Sequence, residues 1–261
     1  MHNITSKVLY WEPNSNKLRL KRIEINDARS FSHNLDEHGF ELVNISTNVS
    51  EWTRDQIVGS FYDSVLDYAL DVSKCDLVAI PFYFLRSSNS ERFGFIQGAI
   101  RSVHSDYAPS FEHLQRKEFD TLPPHFSDFK TKTRDGYTHS KKFSEYSRCV
   151  IIQFWKNIGS PTMDFPLGFI DKSTIPEDDV FIQGTNEPDG HGGRRIFDTV
   201  LFKHNPKHGW YYFPEMTGDE TVMFKTFDTE NFVYAPHASF RDKRYAQERR
   251  SIECRVSCWF S

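Results

Sequence analysis

The chain has 261 residues, a formal net charge of −4 and a pI of about 6.3. This balance excludes a typical nucleic-acid-binding protein, because such proteins carry a strongly basic surface. Aromatic residues make up 15% of the chain, a composition suited to half-buried sheets and to pockets for bulky apolar ligands. A chain of this length can form one large domain, so we expect a single domain over residues 1–261.

The N-terminal segment and the cysteines indicate the cellular setting. Residues 1–7 lack the apolar core of a signal peptide, and no run of 18 uncharged apolar residues occurs in the chain. We therefore expect a cytoplasmic protein without a membrane span, with a homodimer as a candidate assembly. The four cysteines contain no CxxC pair, which predicts small buried side chains rather than a disulfide framework.

The first part of the chain predicts a hairpin, a turn and one helix. Residues 8–11 and 18–25 favour strands, and Gly39 is expected at a turn before a short strand. Ser50 is expected to cap a helix of about twenty residues, because apolar residues recur at helical spacing from Ile57 to Val72. That helix should pack on the outside of the sheet.

The middle of the chain combines a buried strand with a long polar connection. Residues 76–86 are almost continuously apolar, which predicts a buried strand with an irregularity at Pro81. A short helix is expected at residues 111–117. Residues 118–142 show no clear periodicity, and we interpret them as a lid or binding loop.

The second half predicts a series of short strands separated by glycine-rich and proline-rich turns. His191 lies among glycines in one of these turns, and we do not expect it to bind a metal. Many short strands with such punctuation predict a mainly β fold, an antiparallel sandwich or barrel. The expected strands are residues 148–155, 165–170, 180–183, 197–204, 210–213, 222–227 and 249–260.

One tripeptide, His104-Ser105-Asp106, suggests a metal site. Its imidazole and carboxylate are two positions apart, so on an extended segment they project from the same face. Two histidines and one carboxylate can hold Fe(II) on one side and leave the opposite positions open for a co-substrate and dioxygen. About one His-x-Asp/Glu pair is expected by chance among 11 histidines and 36 acidic residues. The chain contains only one such pair, His104 and Asp106. If the protein has a metal site of this type, these two residues are therefore its first two ligands.

The site needs a second histidine downstream, followed by a basic residue that can hold an oxoacid carboxylate. His237 fits best, because Arg249 and Ser251 follow it on a predicted strand. Alternation puts these two residues on one strand face with Glu253 and Arg255. An Arg-x-Ser pair suits the distal carboxylate of 2-oxoglutarate, since the guanidinium binds in bidentate fashion and the hydroxyl donates a further hydrogen bond. From the residues alone, the charged outer face of an edge strand is an equally good interpretation.

The order of these segments resembles one family, the Fe(II)/2-oxoglutarate-dependent hydroxylases and desaturases of fungal and bacterial secondary metabolism. The family includes the cephamycin methoxylation component, a gibberellin desaturase and the endoperoxide-forming oxygenase of novofumigatonin biosynthesis. The similarity covers almost the whole chain. It is carried by residues 27–29, 35–42, 84–86, 103–107, 151–156, 166–167, 220–228, 236–240 and 249–255.

The resemblance implies a double-stranded β-helix, or jelly roll, with flanking helices. It also implies an enzyme that binds Fe(II) through His104, Asp106 and His237 and uses 2-oxoglutarate and dioxygen as co-substrates. His208 is the runner-up for the second histidine ligand. The aromatic composition favours a lipophilic polycyclic substrate, such as a terpenoid or meroterpenoid, that is hydroxylated, desaturated or converted to an endoperoxide.

For the distal carboxylate of 2-oxoglutarate we expect Arg249 with Ser251, and Arg255 and Gln153 are the alternates. The chain departs from the family where the usual pattern is Asn-x-Trp-Arg, since it reads Gln153-Phe154-Trp155-Lys156. A carboxylate contact made by that arginine would here become a contact with the point charge of Lys156.

Three alternatives remain open at this stage. The chain could be a jelly-roll binding module without catalysis, a subunit of a two-component oxygenase, or an iron lyase or isomerase that does not consume 2-oxoglutarate. The complete ligand set argues against a subunit that has lost catalysis, because such a subunit has no physical need for three metal ligands.

Overall fold

The computed structural model describes residues 3–89, 98–135, 141–188 and 194–261. Within these residues, the expected mainly β fold is confirmed: two curled sheets contain all of the strands. The major sheet has the strand order β1 (Ile4–Glu12), β2 (Lys17–Asp27), β12 (Trp210–Tyr212), β9 (Leu167–Ile170), β14 (His237–Ser239), β6 (His104–Ser105), β11 (Arg194–Phe202) and β10 (Val180–Pro188). The minor sheet has the order β3 (Phe40–Asn44), β13 (Glu220–Asp228), β8 (Arg148–Asn157), β15 (Arg250–Phe260), β4 (Leu77–Ile80) and β7 (Lys130–Thr133), and β5 (Tyr83–Ser87) also pairs with β15.

The N-terminal hairpin forms as expected, with β1 antiparallel to β2. Gly39 precedes β3 and has a φ of +90°, a backbone conformation that glycine adopts without steric cost. The pairing of β12 with β2 is parallel, which a string of short hairpin-like strands does not predict. Parallel pairing requires a long connection between the two strands, and the chain between β2 and β12 is long enough.

Two helical regions flank the sheets. Helix α1 (Arg54–Gln56), a π-helical turn (Ile57–Phe61) and α2 (Tyr62–Ser73) are continuous, and α3 (Phe111–Thr121) follows β6. The buried face of α2 packs on the outer face of the minor sheet, as expected. Short 3₁₀ helices occupy Pro13–Ser15, Ala28–Ser30, Pro124–Phe126, Phe143–Glu145, Lys172–Thr174 and Glu177–Asp179.

The expected cap at Ser50 is wrong. The helix begins at Arg54, after Thr53. The backbone N–H of Ser50 donates to Oε1 of Gln56 across 2.8 Å. Ser50 therefore lies before the helix and is linked to its first turn by the side chain of Gln56.

Residues 118–142 are not one structureless loop, so that expectation is wrong in part. Helix α3 continues to Thr121, and Lys130–Thr133 is strand β7, paired with β4. The strand alternates lysine and threonine and therefore shows no hydrophobic periodicity. Residues 136–140 of this segment and the turn around His191 lie outside the described residues.

The strands expected in the second half are all present, with boundaries shifted by a few residues. The expected strand at residues 76–86 is divided at Pro81 into β4 and β5. All four cysteines lie in the described part of the chain, are buried and form no disulfide, as expected. No helix of the described residues is long and apolar enough to cross a membrane.

Candidate metal centre

His104 and His237 lie opposite each other on neighbouring strands of the major sheet. Strands β6 and β14 are antiparallel, and these two residues are direct partners in the register. Directly paired residues project from the same face of a sheet, and the two imidazole rings lie 4.5 Å apart. Asp106 follows two positions after His104 and returns to that face. The predicted His-x-Asp arrangement and the chosen second histidine are therefore brought together.

The ligand atoms of these three residues are close enough to hold one metal ion. All of them lie within 4.8 Å of one another, and Nε2 of His237 is 3.7 Å from Oδ2 of Asp106. Ligands at right angles on a metal lie about 3 Å apart at the metal–nitrogen distance typical of histidine sites. Small side-chain rotations would close this difference, so the residues fit the group that the sequence implies.

Backbone carbonyls orient both imidazole rings. Nδ1 of His104 bonds to the carbonyl of Ser102 at 2.8 Å, and Nδ1 of His237 bonds to that of Ala235 at 2.9 Å. A histidine whose Nδ1–H donates to a carbonyl presents Nε2 as the lone pair for a metal. Both rings are thus held in the tautomer that a metal site requires.

Burial and neighbouring charges keep His237 and Asp106 in their metal-binding protonation states. Burial, reinforced by His104, lowers the pKa of His237 to about 4, so its imidazole is neutral at neutral pH. Burial alone would raise the pKa of Asp106, but Arg255 and the two histidines outweigh it and hold that pKa well below its usual range. Metal ligands must be neutral imidazoles and ionised carboxylates, and this site provides both.

Each oxygen of the Asp106 carboxylate accepts a hydrogen bond from the minor sheet. Nη2 of Arg255 donates to Oδ1 and Nε2 of Gln153 donates to Oδ2, both across 2.6 Å. Arg255 and Gln153 are direct partners on β15 and β8. The sequence suggested these two residues as alternates for 2-oxoglutarate, but in the structure they contact the carboxylate of Asp106.

Arg255 belongs to a buried group of charged and aromatic residues. Its Nε donates to Glu253 at 3.1 Å and its Nη1 to the hydroxyl of Tyr107 at 2.7 Å. The guanidinium carbon lies 4.8 Å from the ring centre of Phe84 and 5.3 Å from that of Tyr107. Arg86 forms a second ion pair with Glu253 at 3.6 Å. Arg255 is therefore held by two neighbouring aromatic rings and by hydrogen bonds to two carboxylates, those of Asp106 and Glu253.

Arg249 lies on the same side of the minor sheet but has a different environment. It is 1% exposed, and within the described part of the chain its guanidinium has no ion-pair partner. The guanidinium donates to neutral acceptors, namely Ser251 Oγ at 3.0 Å, Ser239 Oγ and the carbonyl of Phe165, whereas the backbone N–H donates to Asp164 at 3.0 Å. Burial, with a smaller contribution from Arg86, lowers the pKa of Arg249 to about 9.

A buried cation without a counter-charge is costly, so Arg249 is suited to an anionic ligand. Ser239 lies two residues after His237, which corresponds to about 7 Å along the strand. A five-carbon diacid can bridge that separation between the metal and the guanidinium. The ring of Trp155 lies 5.3 Å below the guanidinium carbon and supports it from the minor sheet.

Lys156 does not take part in this site. Its Nζ donates to the carbonyl of Ile45 at 3.3 Å and to Thr221 at 3.4 Å. It lies three positions from Gln153 on β8, so alternation puts its side chain on the opposite face, where helix α2 packs. The expected contact between Lys156 and a carboxylate at the site is therefore wrong.

His208, the runner-up ligand, lies in a separate buried network. Its Nδ1 bonds to the hydroxyl of Tyr10 at 3.0 Å, and its Nε2 lies 3.3 Å from Asp179. Trp210 donates to the same tyrosine hydroxyl at 2.9 Å. These contacts give His208 a structural role in the core of the major sheet.

Three residues near the site were not anticipated from the sequence. Ser239 could have been found by alternation from His237. Arg86 is a charge at the end of a nearly continuous apolar run, and Tyr107 directly follows the His-x-Asp motif. The roles of Arg86 and Tyr107 depend on contacts with Glu253 and Arg255 of β15, which no local pattern indicates.

Two aromatic rings lie beside the imidazole of His237. The rings of Phe224 and Phe169 lie 4.9 and 6.1 Å from that of His237. His237 and Asp106 are buried, whereas His104 is partly exposed. The candidate centre is thus accessible on the side of His104 and apolar on the side of Phe169 and Phe224.

Comparisons with known proteins agree with this geometry. A family model described as "Oxidoreductase/YMDC permease-like domain" matches residues 5–259. The chain is 26% identical to the "Hydroxylase/desaturase efuI" of Hormonema carpetanum, over 92% of this chain and 83% of the relative. It is 25% identical to the "Alpha-ketoglutarate-dependent dioxygenase phiK" of a fungal species, over 80% of this chain and 71% of the relative. The resemblance to fungal oxygenases is therefore confirmed.

A solved structure extends the comparison to the fold. The "iron and alpha-ketoglutarate-dependent endoperoxidase NvfI" superimposes with a TM-score of 0.78 at 19% identity, covering 99% of this chain and 98% of the other. The expected double-stranded β-helix is confirmed by this match.

Proposed function

The chain belongs to the oxidoreductase/YMDC permease-like family, and from this premise we propose that it is a non-haem Fe(II)/2-oxoglutarate-dependent dioxygenase of secondary metabolism. One observation carries the proposal. His104, Asp106 and His237 have ligand atoms within 4.8 Å of one another. The buried guanidinium of Arg249, which has no acidic partner among the described residues, contacts Ser239, two residues after His237.

Each residue has a separate task in this proposal. His104, Asp106 and His237 hold Fe(II) on one face, which leaves the other positions for co-substrates. Arg249 binds the distal carboxylate of 2-oxoglutarate, and the Ser251 hydroxyl, already hydrogen-bonded to Arg249 Nε, lies beside it. When bound, the iron, with 2-oxoglutarate and dioxygen, supplies the oxidising chemistry, and 2-oxoglutarate ends as succinate and carbon dioxide.

The protein's own contribution is positioning and exclusion of water. Arg249 is held in place before the ligand arrives, by two serine hydroxyls and the ring of Trp155. A preorganised guanidinium loses little freedom on binding and therefore binds more tightly. The rings of Phe169 and Phe224 keep one side of the centre apolar.

We propose that the substrate is a lipophilic small molecule, such as a terpenoid or meroterpenoid. The apolar side of the centre and the 24 phenylalanines of the chain support this class. The outcome is a hydroxylation, a desaturation or an endoperoxide formation, depending on where the substrate carbon lies relative to the metal. A cytoplasmic location and a homodimer stay predictions.

The proposal is tested by supplying the purified protein with Fe(II), 2-oxoglutarate and air in the presence of a panel of terpenoids, meroterpenoids and amino acids. Succinate formed in proportion to an oxidised terpenoid supports both the reaction type and the substrate class. Turnover of small polar amino acids alone overturns the substrate class. Oxidation or rearrangement of a substrate without succinate overturns the use of 2-oxoglutarate.

A further inference from the structure

The carboxylate of Asp106 lies between two side chains that face each other across strands β8 and β15. Gln153 and Arg255 are direct partners in the register of these strands, so they share one face and lie next to each other. Asp106 directly follows strand β6 of the major sheet. One of its carboxylate oxygens accepts a hydrogen bond from Gln153 and the other from Arg255. This contact joins the two sheets at the candidate metal ligand.

The hydrogen-bonding capacity of Gln153 shows what it can still bind. Both N–H groups of Nε2 are in use, one with Asp106 Oδ2 at 2.6 Å and one with Thr226 Oγ1 at 3.0 Å. Its Oε1 is buried and has no partner within the described residues. An amide oxygen only accepts hydrogen bonds, and so does a carboxylate. Gln153 therefore cannot bind either carboxylate of 2-oxoglutarate in this arrangement.

Arg255 is also committed to other groups. It donates to Asp106, Glu253 and Tyr107, and its guanidinium carbon lies within 5.3 Å of the ring centres of Phe84 and Tyr107. Its charge is thus balanced by two carboxylates of the protein. Among the described residues, the guanidinium of Arg249 forms no ion pair. This difference distinguishes two arginines that occupy equivalent positions in the strand pattern.

We infer that Gln153 and Arg255 are positioning residues for Asp106, and that together they present it to the metal through one oxygen. This inference rests on the proposed function. Oδ2 is the oxygen near His237 Nε2, so it is the metal-facing atom, and Gln153 sets its direction. Oδ1 accepts the hydrogen bond from Nη2 of Arg255, which holds the carboxylate with Oδ2 as the oxygen nearer to His237 Nε2. Partners of this kind around metal ligands contribute strongly to metal affinity.

Gln153→Asn tests the inference with a small change. It keeps the amide and shortens the side chain by one methylene, which removes the reach to Asp106. We expect the affinity for Mn(II) or Co(II), measured anaerobically, to fall about 10- to 100-fold. The Co(II) visible spectrum should change as well, because Oδ2 loses the contact that sets its direction. In metal-saturated protein, the dissociation constant of 2-oxoglutarate should stay near the wild-type value.

Two further variants make the result specific. Gln115→Asn is the matched control, because Gln115 is buried and bonds to Cys149 and Ser257 away from the three ligands. It should leave metal affinity unchanged. Arg255→Lys keeps the charge but loses the planar donor set, so it should weaken metal binding in the same way as Gln153→Asn. Circular dichroism shows whether each variant is folded. If Arg255→Lys does not fold, the result for Gln153→Asn decides.

The outcomes separate this inference from the proposed function. Weaker metal binding with unchanged 2-oxoglutarate binding supports the positioning role. Wild-type metal affinity in Gln153→Asn overturns it, and a selective loss of 2-oxoglutarate binding would make these residues co-substrate ligands instead. If the wild-type protein binds no metal, the proposed function and the inference fail together.

Discussion

Nε2 of His237 lies 3.7 Å from Oδ2 of Asp106, although the two residues belong to distant parts of the chain. The distance follows from a single register contact, the direct pairing of His237 with His104 on adjacent strands. Because Asp106 is two residues beyond His104, the carboxylate arrives on the same face. A metal centre in this protein therefore depends on one strand pairing.

His237→Ala should abolish metal binding, because two of three ligands rarely retain Fe(II). The measurement is an anaerobic titration with Fe(II) and 2-oxoglutarate, in which the wild type should develop a weak visible charge-transfer band. His208→Ala is the control and should keep the band. It should still lower the free energy of unfolding by about 1–3 kcal/mol, since Tyr10 and Asp179 lose a buried partner. A band in His237→Ala, or its loss in His208→Ala, would contradict the assignment.

Arg249→Gln should weaken 2-oxoglutarate binding without affecting the metal. Removing one partner of a buried charge pair costs about 2 kcal/mol or more, which is roughly a 30-fold increase in dissociation constant. The charge-transfer band of metal-saturated protein gives that constant directly. Arg249→Lys should recover part of the affinity, because a point charge replaces the bidentate fork. Unchanged 2-oxoglutarate affinity in Arg249→Gln would assign the carboxylate to another residue.

Replacing Arg249 by an apolar residue should raise the stability of the ligand-free protein. Burying its charge without a carboxylate opposes folding, so we expect Arg249→Met to unfold at a higher temperature than the wild type when no ligand is present. At 100 times its dissociation constant, 2-oxoglutarate should stabilise the metal-loaded wild type by about 2.7 kcal/mol. At the same concentration it should stabilise Arg249→Met by only about 0.9 kcal/mol, if the affinity falls about 30-fold. A lower unfolding temperature of ligand-free Arg249→Met would show that the serine and Trp155 contacts outweigh the buried charge.

Acid should destabilise the metal-free protein through His237. Its pKa is about 4 in the folded state and 6.5 ordinarily. Between these values the unfolded chain binds more protons, so the free energy of unfolding falls as the pH is lowered from about 6.5 to 4, by on the order of 3 kcal/mol. Urea unfolding across this range should show a shallower dependence for His237→Gln. Equal slopes in the two proteins would mean that other groups control acid stability.

Lys156→Met should leave the dissociation constant of 2-oxoglutarate unchanged, because Lys156 lies on the opposite face of β8. Burial lowers the pKa of Lys156 to about 8, from 10.5. The unfolded chain binds more protons between these values, so this lysine makes stability rise from about pH 8 to 10.5. That rise should be smaller in Lys156→Met, as measured by urea unfolding. A weakened 2-oxoglutarate affinity would place Lys156 at the co-substrate after all.

Much of the candidate site follows from short-range regularities of the sequence. The spacing of His104 and Asp106 and that of Arg249 and Ser251 each place two side chains on one face, because side chains alternate along a strand with a period of two. The same rule separates Gln153 from Lys156. The mainly β fold follows from many short apolar runs and turn residues.

Tertiary structure alone decided which faces meet and which charges are paired. Arg249 and Arg255 occupy equivalent positions in the strand pattern, yet only Arg255 is opposite Asp106. Strand β7 is hidden in the sequence because Lys130–Thr133 contains no apolar residue, and its partner β4 defines it. Alternation along a strand is local, whereas register and the approach of two sheets depend on contacts between distant residues. For that reason the sequence indicates the ligands, and the packing of the two sheets determines what each arginine can bind.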